Sequence, residues 1–389
     1  MSFNILKWIL LLDFLLSMHI WLEAFIPVLP VNFITISTLL LFVKRNRAKE
    51  NMTVVKKMLL WIAIYSIFLL VTGNIRYAFS QPFYYIPGIL LCMLPAYYLK
   101  DIFVFISKAM AYILLISFIV FIIDLIVDLP PVNYVKVGTY NEFENYVFLL
   151  KNQSLREFFR FSGPFVESGH MSMICAILLY ANQYKFKKWY NIVFLVSILF
   201  SLSLAGYVLL GLGLVLYNIK SFKRIIQISV GALLMLYIVA DVWDNGNNPV
   251  NIFIISRLEY DEEKGITGNN RFDLDTDNYY NKLTTQDFLV GLGLDKYKQL
   301  EEEELVAGAG YKIFILINGF IGCLFVLMIY YNFCRLSFNR KYAIGFLLLM
   351  IASFLQRAYP TWMAWLLPLI CGTVLSNYSD RNKKHIMLA

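Results

Sequence analysis

Charge is scarce in this chain. Only 15% of its 389 residues are Asp, Glu, Lys or Arg, while 59% are hydrophobic. That balance excludes an ordinary soluble domain and fits a polytopic membrane protein. Cysteine is scarce as well. Cys92, Cys175, Cys323, Cys334 and Cys371 all lie in or beside apolar runs, so neither a disulfide framework nor a metal-ligand spacing is visible. Histidine is limited to His19, His170 and His385. The Walker pattern and the dinucleotide fingerprint are both absent, so nothing signals nucleotide chemistry or a cofactor. There is no internal repeat, and the only low-complexity tract is EEEE at 301–304, which reads as a solvated helix face. Residues 1–25 lack a small-residue cleavage site and their apolar pattern runs on, so they read as a first span.

Apolar runs are abundant. A bilayer core of roughly 30 Å takes about 20 apolar residues per helix. On that scale twelve spans are expected, near 4–23, 27–43, 58–79, 82–99, 102–127, 165–182, 189–203, 205–219, 225–241, 311–333, 342–358 and 361–377. The fold class is thus an all-α polytopic integral membrane protein, a single membrane domain over 1–389. The stretch 189–219 reads either as one long run or as two spans. SLSLAG (201–206) offers a tight turn in its middle.

The formal net charge of +8 invites a nucleic-acid reading, but the positions argue against it. Lys44, Arg45, Arg47, Lys49, Lys56 and Lys57 fall in one short connection. Lys100 falls in another, and Lys185, Lys187 and Lys188 in the next. Lys220, Lys223 and Arg224, then Arg335, Arg340 and Lys341, and finally Arg381, Lys383 and Lys384 complete the set. Every second loop is basic, as expected of loops left in the cytoplasm, and both termini fall on that side. Merging 189–219 into one span would invert everything after it and break this pattern. Two outer loops are long, about 128–164 and 242–310. The first carries PPVNY and a stretch expected to be helical, NQSLREFFRFSG. The second is acidic: residues 241–310 hold fifteen Asp and Glu against six Lys and Arg.

Six arginines stand apart from the cytoplasmic clusters: Arg76, Arg156, Arg160, Arg257, Arg271 and Arg357. All are expected on the outer side or its interface, with Arg76 ending span three and Arg357 ending span eleven. A single arginine there reads equally well as snorkelling to headgroups. Several on one side read as an anion site, because guanidinium binds a diphosphate bidentately and keeps its charge.

The densest polar stretch at an apolar run is RFSGPFVESGH, residues 160–170. Gly163-Pro164 reads as a turn into span six. Glu167 and His170, three apart, then share a face of the first turns, with Arg160 just before the turn. A carboxylate at a helix N-terminus is also favoured by the dipole alone. Ionisable groups at membrane depth are costly and usually functional. The Glu167–His170 spacing suits two metal ligands, but no second pair matches it, so no metal is expected. In span one, His19 and Glu23 are four apart and can pair. Asp13 sits deeper in the same span, and Asp124 lies in span five. These four either line a proton path or make structural contacts between helices. Further on, GNNRFDLD (268–275) precedes FLVGLG, where Gly291 and Gly293 allow a close backbone turn.

Taken in order, these motifs resemble the Wzy-type O-antigen and capsule repeat-unit polymerases, within the group that includes the O-antigen ligases. RFSGPFVESGH looks like that family's arginine–glycine–phenylalanine–glutamate signature ahead of a central span. LFSLSLAGYVLLGLG (199–213) is similar to its Ser-rich turn between spans. GNNRFDLD with FLVGLG resembles its outer-loop stretch, GAGYKIFILINGFIGCLFVL (308–327) the span that follows, and FLQRAYP its late arginine. The resemblance covers about 155–360 together with the topology. Ser168 stands where such signatures often have proline. No histidine lies in 241–310, where a ligase is expected to carry one, and this favours polymerase over ligase.

The resemblance implies a C-type glycosyltransferase (GT-C-like) fold in the bacterial cytoplasmic (inner) membrane, with its active site facing the periplasm or outside. It implies undecaprenyl-pyrophosphate-linked oligosaccharides as substrates, membrane lipids as surroundings and a chain-length regulator as a partner, with no nucleic acid. A hydroxyl of an incoming repeat unit attacks the anomeric carbon of the growing chain, and the lipid pyrophosphate leaves. Arg160, Arg271 and Arg357 are expected to hold the pyrophosphate, with Arg76 and Arg257 as further candidates. Glu167 is expected to be the base, tuned by His170. Should Glu167 instead buttress Arg160, His170 or Asp273 takes that role. Tyr140, Tyr146, Phe159, Tyr279, Tyr280, Tyr311 and Tyr359 either stack on sugars or anchor at the interface. The rival readings are an O-antigen ligase and a lipid-linked oligosaccharide flippase or other transporter.

Overall fold

The computed structural model describes residues 2–386 apart from 49–50, 138–141, 153–159, 220, 239–247, 249, 256–259, 262–264, 267–273, 307 and 309. The described residues form fifteen α-helices: α1 (Phe3–Leu16), α2 (Val28–Arg45), α3 (Met52–Val71), α4 (Ile75–Cys92), α5 (Ala96–Val127), α6 (Ser168–Ala181), α7 (Trp189–Phe200), α8 (Leu204–Tyr217), α9 (Phe222–Tyr237), α10 (Leu274–Asn281), α11 (Thr285–Val290), α12 (Leu294–Glu302), α13 (Tyr311–Cys334), α14 (Arg340–Gln356) and α15 (Met363–Ile386). Most of the expected apolar stretches fall on a single helix, but 58–79 is divided between α3 and α4 and 82–99 between α4 and α5. Four of the described helices, α2, α3, α5 and α13, are long and apolar enough to cross a membrane. Large aliphatic side chains such as Leu40, Leu41, Leu59, Leu60, Ile67 and Ile126 point outward from them. Such extensive exposed apolar surface suits hydrocarbon contact rather than water.

Helix boundaries follow local chemistry. The expected spans 58–79 and 82–99 are both displaced, because the chain turns at Thr72–Asn74 with Gly73 at φ +80°. Pro82 and Pro87 lie inside α4 rather than at its start. Arg76 therefore sits in the first turn of α4, not at the end of the preceding span, and Lys100 lies on α5. The 32 residues of α5 measure about 48 Å at 1.5 Å per residue, more than a bilayer core. Lys100, Asp101 and Lys108 occupy its early turns, so the apolar remainder matches the core thickness.

At the centre is α6, buried along its length except at Gly169. It packs against α7, α8 and α15. Gly206 of α8 lies against Ser172 and Gly213 against Tyr180 and Tyr184, so α6 and α8 run the same way. The carbonyl of Phe200, at the end of α7, accepts from the Phe161 N–H just before α6 (3.0 Å), so α7 runs the opposite way. The chain thus reverses over Ser201–Ser203, with Leu202 at φ +45°. Of the two readings of 189–219, two separate helices is the one found.

The basic connections gather at one end of the bundle. Ala48 N–H donates to Met93 O (2.8 Å), Asn51 Nδ2 to Cys92 O (2.8 Å) and Tyr98 OH to Asn46 Oδ1 (3.0 Å). Tyr180 and Tyr342 exchange hydroxyl-to-carbonyl bonds of 3.2 and 3.1 Å, which tie the C-terminal end of α6 to the start of α14. Burial, with Lys185 and Lys100 nearby, holds the Lys188 ammonium below its ordinary value.

The expectation of an all-α chain needs one correction. The first long loop contains a three-stranded antiparallel sheet in the order β1 (Asn133–Lys136), β2 (Glu142–Asn145), β3 (Leu150–Asn152), with Val135 opposite Phe143 and Glu144 opposite Lys151. The second long loop adds a small pair, β4 (Tyr260–Asp261) with β5 (Gly265–Ile266). The helix expected over NQSLREFFRFSG is not found where that stretch is described: Asn152 ends β3 and 160–163 is not helical. Residues 153–159 lie outside the described residues. Strands of three or four residues are too short for alternation to register in sequence. Val135, Val137, Phe143, Leu150 and Val166 form the core beneath the sheet, with Trp21 against it.

Candidate functional site

The stretch 160–167 is non-helical and stitched on three sides. On one side Arg160 Nε donates to Ser201 O (3.4 Å), at the α7–α8 turn. On the second, Leu150 N–H donates to Gly163 O (2.8 Å) and Ser162 Oγ to Leu150 O (2.8 Å), joining the stretch to β3. On the third, Trp21 N–H donates to Pro164 O (3.3 Å) and Val166 N–H to His19 O (3.0 Å), around an antiparallel bridge between Ile20 and Phe165. Gly163 supplies the turn, at φ +59°. These ties deliver Glu167 to the N-cap of α6.

Glu167 makes no side-chain capping bond. Its carboxylate is ion-paired instead with Arg357, which caps the C-terminus of α14 in extended backbone, φ −143°. The Arg357 side chain is 12% exposed and that of Glu167 26%. Arg357 Nε is buried and finds no acceptor among the described residues. One donor of a nearly enclosed guanidinium is thus left over, a feature that suits a second anion.

His170, in the first turn of α6, is fully buried. Its ring lies 5.8 Å from that of His19, 5.5 Å from Trp362 and 6.1 Å from Tyr359, centroid to centroid. Tyr359 and Trp362 stack at 4.0 Å with 2° between planes, and His19 meets Trp362 edge-on at 4.9 Å. His19 Nδ1 lies 2.6 Å from Glu23 Oε2. Loop 17–24, the start of α6 and segment 357–362 therefore converge on one polar and aromatic cluster.

A second wall borders it. Helix α13 is broken at Gly319 (φ +70°), where the α11–α12 connection crosses it. Leu292 N–H donates to Leu316 O (2.6 Å) and Gly293 N–H to Ile317 O (3.1 Å). Gly291 (φ +87°) and Gly319 touch backbone to backbone, and a Cβ on either would overlap main-chain atoms of the other segment. Broken helices at membrane depth need such partners for their freed carbonyls. Asn74, the N-cap of α4, joins the crossing through Ile317 O (3.4 Å) and Leu294 N–H (3.4 Å), two residues from the exposed Arg76. Tyr297 of α12 stands near Tyr359 and Tyr77. Burial first, and then Glu301, which accepts its hydroxyl hydrogen (3.4 Å), push that hydroxyl above its ordinary value and keep it a neutral donor.

The sequence-expected residues thus divide. Glu167, His170 and Arg357 come together, with Arg160 fastened to the adjacent turn. Glu167 pairs with Arg357, not with Arg160. Arg76 lies toward the second wall, beside Tyr77. Gly291 and Gly293 serve the crossing at α13. Arg257, Arg271 and Asp273 lie outside the described residues, as do Arg156, Tyr140 and Phe159. Asp124 is ion-paired with Lys151 of β3 and accepts from Leu129 N–H (3.3 Å), an anchor between sheet and bundle. Asp13 is buried on α1 facing Thr35 of α2. Sequence reasoning missed the convergence of His19, Glu23 and Trp362 on this cluster. The His–x3–Glu spacing was visible, but nothing local places residue 19 beside residue 170. No group of three metal-ligating side chains occurs among the described residues. Comparison with family models, with curated proteins and with solved structures finds no match.

Proposed function

We propose that this chain is a repeat-unit polymerase of surface polysaccharide. In this reading it lies in a bacterial cytoplasmic membrane, crosses it twelve times and keeps its basic end and both termini in the cytoplasm. Its cluster of Glu167, His170 and Arg357 then opens toward the outer face. The carrying observation is the Glu167–Arg357 pair, held by the stitched 160–167 segment at the end of the bundle away from the basic connections.

In glycosyl transfer from a polyprenyl-pyrophosphate donor, negative charge develops on the leaving pyrophosphate. Preorganised cations in a water-poor site stabilise that charge. Arg357, with Nε still to be satisfied, and Arg160 at the neighbouring turn fill this role. Glu167 sets the position of Arg357, so it acts on the leaving-group side. The donor carries the energy of the reaction, so the residues need to supply only positioning, charge stabilisation and a base.

The test is reconstitution of the purified protein with undecaprenyl-pyrophosphate-linked repeat units, with and without chelator, read as a glycan ladder. A chelator-resistant ladder is expected. Transfer onto a lipid A-core acceptor without a ladder would make the protein a ligase, and neither product would redirect the reading to a transporter. Labelling of single cysteines placed in 241–310 should occur from outside the cell, and labelling only from the cytoplasm would overturn the orientation.

A further inference from the structure

A hydroxyl that attacks an anomeric carbon must lose its proton, and several of the described groups that could take it are engaged or enclosed. Glu167 is engaged by Arg357 and Asp124 by Lys151. Glu144 is buried in the sheet and accepts from Tyr146 OH (3.1 Å). His170 is fully buried, behind the rings of His19, Trp362 and Tyr359. His19 differs in its partner: the ring is held by a carboxylate, Glu23, rather than by a cation, and the two side chains are 25% and 20% exposed.

Resting on the glycosyl-transfer reading above, we propose that His19, oriented by Glu23, is the general base that takes the proton of the attacking hydroxyl. The 2.6 Å contact places Nδ1 against a carboxylate oxygen. In the neutral ring Nδ1 then carries the hydrogen and donates it, which leaves the lone pair on Nε2. A carboxylate behind an imidazole fixes the tautomer and ring orientation and stabilises the imidazolium that forms. The backbone fixes the same residue independently. The His19 carbonyl accepts from Val166 N–H, one residue before Glu167, so base and pyrophosphate-binding pair share one stitched frame. His19 also holds left-handed backbone, φ +53°, which turns its side chain out of the path of α1.

The step balances simply. The acceptor oxygen forms its bond to the anomeric carbon as the carbon–oxygen bond to pyrophosphate breaks. The bonding pair leaves on pyrophosphate, facing Arg357. The hydroxyl proton passes to Nε2, and the imidazolium beside Glu23 later releases it to water. Besides Glu23, the described titratable and charged groups on the elements packed around His19 include His170 on α6, the Glu167–Arg357 pair, Tyr359, and Lys136 of β1, a strand that packs against the turn at 21–24.

The experiment uses the full-length protein in detergent or liposomes with the undecaprenyl-pyrophosphate-linked repeat unit. His19→Asn is the first variant, because Asn also tolerates left-handed backbone. Its kcat is expected to fall about 100-fold or more, within the usual range for a lost general base, with KM little changed. Added imidazole should restore part of the rate to His19→Gly, which a purely structural role would not allow. Glu23→Gln should lower kcat with KM little changed, because the ring loses the carboxylate that fixes its tautomer and orientation. A wild-type ladder that His19→Asn leaves within about twofold overturns the base assignment alone. Should His19→Asn not fold, an unchanged kcat in Glu23→Gln overturns it instead. No product from the wild type overturns the transfer reading and the base assignment with it.

Discussion

The two ends of the bundle are closed by different chemistry. The basic end carries most of the cations outside the long loops, yet no ion pair joins its connections among the described residues. It is closed mainly by neutral bonds, Asn51 to Cys92, Tyr98 to Asn46 and the reciprocal pair of Tyr180 and Tyr342, while Lys188 and Arg224 donate to the neutral amides of Asn182 and Asn218. The opposite end and its loops hold every described ion pair: His19–Glu23, Lys151–Asp124, Lys312–Asp277 and Arg357–Glu167. Neutral bonds close a connection at little desolvation cost. Enclosed charges are expensive, and are best kept where their charge is used. The contrast teaches that abundant cations are not by themselves an anion site. Lys44, Lys56, Lys185 and Lys187 at the basic end are exposed. One arginine at the other end is enclosed and oriented by a carboxylate, an arrangement that suits an anion.

The most severe break should come from the crossing that supports the charged end. Gly319→Ala puts a Cβ into the Leu289–Gly291 backbone at a residue with φ +70°. Strain and overlap together should cost about 3 kcal/mol or more. Size-exclusion profiles after a heating series should show loss of folded protein well below the wild-type temperature. The same substitution at Gly211, where a Cβ meets nothing within 4 Å, should be almost silent.

Next in size is the ion pair itself. Arg357→Lys keeps the charge and loses the planar fork, so glycan transfer should fall about 100-fold. Glu167→Gln leaves an acceptor for Arg357 and should cost roughly tenfold, a readout of positioning rather than proton transfer. Retention of full activity by Glu167→Gln would remove that residue from the mechanism altogether. The smallest effect belongs to the basic end. Tyr342→Phe removes one hydroxyl-to-carbonyl bond, worth about 1 kcal/mol, and should lower thermal stability slightly with transfer unchanged. A comparable loss of transfer in Tyr342→Phe would erase the distinction between the ends.

Some of this was legible before any fold was known. Apolar runs announce helices because backbone groups taken out of water must bond within their own segment. Runs such as 102–127 and 311–333 therefore lie on α5 and α13. RFSGPFVESGH stood out because polar side chains interrupt an apolar context, and Glu167, His170 and Arg357 do converge. The sheet 133–152 was not legible, since its strands hold three or four residues each. Arg76 opens α4 rather than ending the preceding span, because the chain turns at Gly73 and not beyond residue 79. His19 was seen as a pairing residue, but not as a neighbour of His170.

The sequence alone determined which segments are apolar, where cations accumulate and which stretches combine charge with glycine. These are properties of covalent order, and partition between water and hydrocarbon acts on each segment separately. Tertiary structure alone decided that Arg357 pairs with Glu167, that loop 17–24 closes over the start of α6, and that the α11–α12 connection threads the break at Gly319. Each of these depends on which helices pack side by side, and packing is a property of the assembled bundle, not of any one segment.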